Sequence, residues 1–211
     1  MTKLFPIFAD IRGKKCVVIG GGSVAERKIK TLLKYGAKIT LISPKITKNL
    51  EEIVKKGQID YKNTEYKEED IKDAFLVVAA TSDERLNIQI ARKANFLVNC
   101  VNRHDRVHIK GVLYNVPAVL NKGDLTVAVS TEFPALSKII RDEISKLYGR
   151  EFALYLRYLK KLRKEIQKKI PDTKRRQTIF KKVASKKIVS ILRHYGFKQA
   201  KKEIEKILNE I

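Results

Sequence analysis

Runs of apolar residues alternate with helical segments over the first hundred positions of the chain. Continuous apolar runs are typical of parallel strands buried on both faces. The segments between them place apolar residues at helical spacing, as Ala25, Ile29 and Leu32 do. The pattern predicts strands over residues 14–20, 38–43, 59–66, 74–81 and 96–101. The strand over 59–66 has the weakest pattern and is expected at an edge of the sheet. Strands that alternate with helices predict an α/β fold with a parallel, doubly wound sheet.

The pattern changes after residue 101. Residues 102–111 are polar and predict a loop. Residues 112–131 predict two strands joined by a turn at 121–124. The next segment is helical, with Pro134 in its first turn and Gly149 at its end, as both residues prefer.

From residue 150 the periodicity is helical only, with interruptions at Pro171 and Gly196. This region predicts a small helical domain. The whole chain is therefore expected to comprise three parts: a sheet domain over residues 1–111, a segment of two strands and a helix over 112–149, and a basic helical domain over 150–211.

A glycine-rich turn follows the first predicted strand, in the sequence "VVIGGGSVAERK". Gly20, Gly22 and Ala25 fill the three small positions of the G-x-G-x-x-G/A fingerprint. These positions allow a tight turn, a close approach of backbone to a pyrophosphate, and close packing of helix on strand. Because the helix N-terminus favours phosphate, we predict a bound dinucleotide. The competing interpretation is a turn that serves chain geometry alone.

Two further cofactor determinants lie at the ends of the second and fourth predicted strands. A NAD site usually has an acidic residue about 20 positions after the glycines, whereas this chain has Ser43 and Lys45. Ser43 can hydrogen-bond a ribose and Lys45 can accommodate the 2′-phosphate of NADP, so these residues leave both cofactors open. Thr81 is expected to face the cofactor; the alternative is that it only starts the next helix.

The charge of the chain is strongly positive and unevenly distributed. Lys and Arg number 46 against 23 acidic residues, and the segment from residue 150 carries +14 of the net +23. Such a field attracts polyanions, whether nucleic acid, an anionic membrane or a small polycarboxylate. The alternative is a solvated, lysine-rich surface of the kind found in thermophilic proteins.

The cysteines and the length of the apolar runs bear on the cellular location of the protein. Cys16 and Cys100 both lie within apolar runs, which favours buried thiols over a disulfide or a metal site. No run approaches the roughly 20 apolar residues of a membrane span, and "MTKLFPIFADIRGKK" lacks a signal-peptide pattern. We expect a cytoplasmic protein that binds neither metal nor membrane.

The chain resembles the precorrin-2 dehydrogenase and sirohydrochlorin ferrochelatase family, which includes the N-terminal module of siroheme synthase. The resemblance rests on segments in the same order, namely "LFPIFADIRGKKCVVIGGGSVAERKIKTLLKYGAKITLISP", "VVAATSDERLN", "LVNCVN", "VPAVLNKGDLTVAVST" and "PALSKIIRDEI". It implies a Rossmann-type domain and NAD-dependent oxidation of precorrin-2 to sirohydrochlorin. It also implies a homodimer, formed largely by the segment after that domain.

The resemblance also suggests a partner for the charge and a set of cofactor-binding residues. Precorrin-2 carries eight carboxylates, which a strongly basic cleft would suit. Cofactor contacts are expected at four strand ends, from Gly20, Gly22, Ser23, Val24, Ser43, Pro44, Lys45, Thr81, Asn99 and Val101.

The chain departs from the family at the expected catalytic position. Relatives have an aspartate directly after the fifth strand, where this chain has Asn102. An asparagine can orient a substrate but cannot accept a proton. We therefore expect Asn102 to orient the substrate and Asp105 to accept the proton, and we expect weak ferrochelatase activity at most. His104 and His108 are alternative bases in the same loop.

Two other functions compete with a dehydrogenase. The chain could be a NAD-sensing regulatory protein without catalysis, which Asn102 would suit. It could instead bind nucleic acid through its basic helical domain. Few aromatic residues lie among the basic residues there, and no known nucleic-acid module is recognisable, so we expect no nucleic-acid partner.

Overall fold

The computed structural model describes residues 5–100, 112–131 and 133–209. The chain divides into two compact units, Met1–Asn115 and Val116–Ile211. Each unit has its own hydrophobic core. Within the described ranges, no helix combines the length and the apolar character needed to cross a membrane.

The first unit is a parallel sheet with helices on both faces. Its strands are β1 (Lys15–Ile19), β2 (Lys38–Ile42), β3 (Asp60–Lys62), β4 (Leu76–Ala79), β5 (Leu97–Cys100) and β6 (Val112–Leu113). Its helices are α1 (Ser23–Lys34), α2 (Lys48–Lys55) and α3 (Glu84–Lys93), with a 3₁₀ turn at Glu68–Ile71. The strand order β3-β2-β1-β4-β5-β6 is that of a Rossmann fold. The predicted fold class is confirmed.

The core of the first unit has two layers because strand residues alternate between the faces of the sheet. Cys16 and Val18 of β1 pack with α1 and α2 on one face. Val17 and Ile19 pack with α3 on the other face. All four side chains are at most 2% exposed. A strand buried on both faces has to be apolar throughout, which explains the continuous run in the sequence.

The sixth strand was not predicted. Val112–Leu113 lies parallel to β5, with Val112 opposite Leu97, whereas the sequence pattern assigned residues from 112 to a separate pair of strands. That assignment was wrong for these two residues, because a two-residue strand is too short to show a period of its own. The first unit accordingly extends to Asn115, beyond the predicted boundary at 111.

The second unit combines a hairpin with four helices. Its elements are β7 (Ala118–Lys122), β8 (Leu125–Val129), α4 (Pro134–Leu147), α5 (Arg150–Lys169), α6 (Thr173–Val183) and α7 (Lys186–Asn209). The antiparallel β7 and β8 are joined within the predicted turn, with Gly123 at φ +59°. Gly196 interrupts α7 with φ +76°. The parts predicted separately over 112–149 and 150–211 thus fall, from Val116 onward, into one compact unit.

The helices of the second unit enclose their own core. Apolar side chains from α5, α6 and α7 meet there, including Phe152, Leu162, Ile179, Ile188, Leu192 and Ile204. Tyr155 adds a buried hydrogen bond, because its hydroxyl donates to the Val183 carbonyl oxygen at 2.7 Å. The apolar stripes that the sequence predicts on these helices therefore pack against one another in one core.

Candidate functional site

The turn after β1 is held between the ends of its two neighbouring strands. Gly20 has φ +107°, and a Cβ atom there would lie 2.6 Å from the Ala80 carbonyl carbon. The Gly20 N–H donates to the Ile42 carbonyl oxygen at 2.9 Å. A Cβ atom on Gly21 would overlap the Lys45 carbonyl oxygen. The first two glycines are therefore required by close backbone packing.

Gly22 differs from the two glycines before it, because a Cβ atom there would meet nothing within 4 Å. Gly22 is the N-cap of α1, and no side chain caps this helix end. The N–H groups of the first turn, which begins with Ser23 and Val24, have no intrahelical partners in an α-helix. This opening at an uncapped N-terminus fits a phosphate group, which accepts from those N–H groups and is favoured by the helix dipole.

A carboxylate in the first turn of α1 is engaged by three neighbouring side chains. Glu26 accepts hydrogen bonds from the side chains of Lys30, Thr47 and Asn49. The hydrogen bond from Lys30 and then that from Thr47 lower the pKa of Glu26, against an opposing effect of burial. Its negative charge is thereby partly offset by the adjacent ammonium group.

The end of β2 supplies polar groups but no carboxylate. Ser43 is 8% exposed, and its hydroxyl donates to the Lys45 carbonyl oxygen at 2.7 Å. The serine oxygen can still accept a hydrogen bond from a ribose hydroxyl. Pro44 and Lys45 are exposed. The Thr47 N–H donates to the Gly21 carbonyl oxygen at 3.1 Å, which fixes this loop beside the glycine turn.

The loop after β4 is organised by a residue that sequence analysis missed. Asn87 of α3 is fully buried. Its Oδ1 accepts from the Thr81 N–H at 3.0 Å, and its Nδ2 donates to the Thr81 carbonyl oxygen at 3.0 Å. The Thr81 hydroxyl lies 2.9 Å from Asn87 Oδ1. The sequence did offer a signal for this residue. Asn87 lies three and four positions before the buried Ile90 and Ala91, so its amide is on the apolar face of α3.

The remaining expected residues lie at or beyond the end of β5. Asn99 is 9% exposed, and its Nδ2 donates to the Tyr114 carbonyl oxygen at 3.1 Å. This bond ties β5 to the residue that follows β6. Val101, Asn102 and Asp105 lie outside the described residues, as do the alternative bases His104 and His108.

Strand register brings the described site residues to one edge of the sheet. Ile19 at the end of β1 lies opposite both Ile42 and Ala79, and Ala79 lies opposite Cys100. The residues that follow β1, β2 and β4, including Gly20, Ser43 and Thr81, therefore share the carboxyl edge. Open parallel sheets bind ligands at this edge. The arrangement can hold a phosphate at α1 and a ribose beside β2.

Comparisons with known proteins agree with this geometry. Residues 7–127 match the family model described as "Putative NAD(P)-binding". The chain is 31% identical over 160 residues to the precorrin-2 dehydrogenase of Priestia megaterium, covering 74% of this chain and 77% of that protein. It is 27% identical over 210 residues to the siroheme synthase of Photorhabdus laumondii, covering 97% of this chain.

The solved structure of "SirC, precorrin-2 dehydrogenase" has the same overall fold. It matches with a TM-score of 0.74 and 26% identity, covering 96% of this chain and all of that one. The siroheme synthases are longer, because the match covers 44% of the Photorhabdus laumondii protein. The chain thus spans less than half the length of that relative.

Proposed function

The chain belongs to the precorrin-2 dehydrogenase family, and on that premise we propose that it oxidises precorrin-2 to sirohydrochlorin with NAD. The observation that carries the proposal is the opening at Gly22, where an uncapped helix N-terminus meets the carboxyl edge of the sheet. This feature fits a dinucleotide pyrophosphate. The overall reaction converts precorrin-2 and NAD⁺ into sirohydrochlorin, NADH and one proton.

Each side of the opening has a separate role in holding the cofactor. The backbone around Gly20 and Gly22, with Ser23 and Val24, binds the pyrophosphate. Ser43, Pro44 and Lys45 receive the adenosine ribose, and Thr81, Asn99 and Val101 line the path toward the nicotinamide. NAD supplies the acceptor for the hydride that leaves the substrate. We place the reaction in the cytoplasm, where this cofactor is available.

The proton released in the reaction needs an acceptor near the departing hydride. We assign substrate orientation to Asn102 and proton acceptance to Asp105 or a water that it holds. The amide of Asn102 can donate and accept hydrogen bonds but cannot take up the proton. Metal insertion also releases protons, from the pyrrole nitrogens. Because Asn102 stands where relatives have a proton-accepting aspartate, we expect any ferrochelatase activity to be weak.

The decisive experiment is to mix the protein with precorrin-2 and NAD and to record the absorbance of sirohydrochlorin. We expect product to form at a rate proportional to enzyme, and modest discrimination between NAD and NADP, because no carboxylate ends β2. Gly22→Val should remove most NAD affinity in calorimetry while thermal unfolding changes little, since its surroundings are open. NAD binding without product formation would instead support a NAD-sensing protein.

Three variants test the acid–base assignment. Asp105→Asn should lose most dehydrogenase turnover, Asn102→Ala should raise KM for precorrin-2, and Asn102→Asp should gain ferrochelatase rate. Full turnover in Asp105→Asn would exclude its role as proton acceptor. An unchanged ferrochelatase rate in Asn102→Asp would show that the aspartate is not limiting.

We further propose that the protein is a homodimer formed through β7, β8 and α4. Three apolar residues of α4, Leu136, Ile139 and Leu147, are 45–56% exposed. They lie at helical spacing and so form one stripe, which a second copy could bury. Light scattering should give twice the chain mass, and Ile139→Lys should shift the protein toward a monomer. Lys138→Gln, at a neighbouring exposed position, serves as the control.

A further inference from the structure

The cofactor and acid–base roles proposed above belong to residues of the first unit, and no individual basic residue of the second unit has been given one. A concavity of about 410 Å³ lies against the first half of α7. Its volume is within the range of small-molecule sites. Two small apolar and four polar or basic residues line it: Ala184, Lys186, Val189, Ser190, Arg193 and His194. The five from α7 are spaced so that they share one helix face.

Arg193 is held in place by two aromatic rings. Its guanidinium carbon lies 5.6 Å from the ring centre of Tyr148 and 5.9 Å from that of Phe152. Cation–π contacts of this kind restrict the side chain without consuming its N–H donors. A restrained guanidinium loses less entropy when it binds a carboxylate in bidentate fashion.

The basic groups of the concavity have no acidic partner within the described part of the chain. Neither Lys186 nor Arg193 takes part in an ion pair there, although the neighbouring Lys187 pairs with Glu203. His194 is anchored by its Nδ1, which lies 2.8 Å from the Ser190 carbonyl oxygen. A carbonyl only accepts, so Nδ1 carries the hydrogen. The lining contains the cations of Lys186 and Arg193, the imidazole of His194 and one hydroxyl group, that of Ser190, but no carboxylate.

We propose that this concavity is a binding site for an organic carboxylate, with Arg193 and Lys186 as its ligands. The two unpaired cations provide charge-assisted hydrogen bonds, and the apolar side chains of Ala184 and Val189 in the lining offer contacts to the carbon body of the ligand. The carboxylate can come from a free small polycarboxylate or from a side chain of the tetrapyrrole. The second source rests on the proposed function, and the first does not.

Calorimetric titration of the full chain with citrate at low ionic strength tests the site. We expect one citrate per chain, and about tenfold weaker binding in both Arg193→Gln and Lys186→Gln. The control is Lys198→Gln, an exposed lysine of α7 outside the concavity that removes the same charge. It should change the affinity less than twofold. Thermal unfolding of each variant without citrate establishes that the fold is retained.

The outcome separates a built site from general attraction to a basic surface. Absence of citrate binding, or equal weakening in all three variants, would overturn the proposal. If kcat/KM for precorrin-2 falls in Arg193→Gln but not in Lys198→Gln, the carboxylate bound at this site comes from the tetrapyrrole. Unchanged kcat/KM together with weaker citrate binding identifies a free polycarboxylate. The citrate measurement holds whether or not the dehydrogenase assignment is correct.

Discussion

Three consecutive glycines at the end of β1 have three different surroundings. Gly20 needs its positive φ, Gly21 lies against the backbone of Lys45, and Gly22 faces open space. The first two are therefore required by the fold, whereas the packing of the fold leaves room for a side chain at the third, for which we propose contact with the cofactor. The sequence fingerprint does not distinguish a glycine needed for packing from one needed for binding. The two kinds of glycine differ in what their substitution changes, which is stability for the first and cofactor affinity for the second.

Alanine at Gly21 and Gly22 should separate stability from binding. We expect Gly21→Ala to lower the free energy of unfolding by about 2 kcal/mol, because its Cβ overlaps backbone. Gly22→Ala should change it by less than about 1 kcal/mol while weakening NAD binding. Urea denaturation and calorimetry measure the two quantities. Equal stability of the two variants would contradict this assignment.

The buried amide of Asn87 offers a second prediction for a single residue. Asn87→Ala leaves the Thr81 N–H and carbonyl without their partner, which should cost about 1–3 kcal/mol of unfolding free energy. NAD affinity should fall as well, because the loop after β4 loses its support. Gln89→Ala, at an exposed position of the same helix, should stay within about 0.5 kcal/mol of wild type. Comparable losses in both variants would rule out a specific role for Asn87.

Among the elements, α1 and the loop that leads into α2 are joined by Glu26. Its carboxylate accepts from Lys30 on its own helix and from Thr47 and Asn49 across the loop. Thr47 also caps α2, since its Oγ1 accepts from the Leu50 N–H. One ionised group thus stabilises the relative position of two elements that flank the candidate cofactor site.

The lowered pKa of Glu26 predicts an acid-dependent loss of this connection. A carboxyl whose folded pKa is depressed stabilises the fold above its ordinary value of 4.5, and that contribution disappears as the pH falls through the folded pKa. The stability difference between wild type and Glu26→Gln should therefore shrink when the pH is lowered from about 6 to about 3. Urea denaturation across that range, with exposed Glu52→Gln as control, measures it. A constant difference would refute the linkage.

The net charge of the whole molecule is +23, which affects how it associates with charged ligands. Opposite charges attract over the Debye length, which is about 10 Å at 0.1 M salt. A basic protein and an octacarboxylate should therefore associate faster at low salt. The same charge raises self-repulsion and does not by itself stabilise the fold.

Raising salt from about 50 to about 300 mM should lower kcat/KM for precorrin-2 several-fold, because added ions screen the attraction between protein and substrate. NAD affinity should change less, since in the proposed site backbone N–H groups bind the pyrophosphate at short range. Steady-state kinetics and calorimetry at matched ionic strengths provide the comparison. A salt-independent kcat/KM would assign the charge to a solvated surface.

The sequence by itself determined the sheet class, the hairpin, the helical stripes and the glycine turn. These follow from local rules: continuous apolar runs for strands buried on both faces, a period of 3.6 for helices, and glycine where backbone must turn or be approached. Residues 14–36 contain the whole strand–turn–helix signal, so no distant contact was needed to predict it.

The tertiary structure decided what depends on residues far apart in the chain. Val112–Leu113 became a sheet strand only by pairing with β5, and Gly21 is confined because Lys45 and Ile46 lie beside it. Asn87 is buried because Thr81 provides the partners that its amide requires. Burial and hydrogen bonding are properties of packed neighbours, so a pattern along one segment cannot supply them.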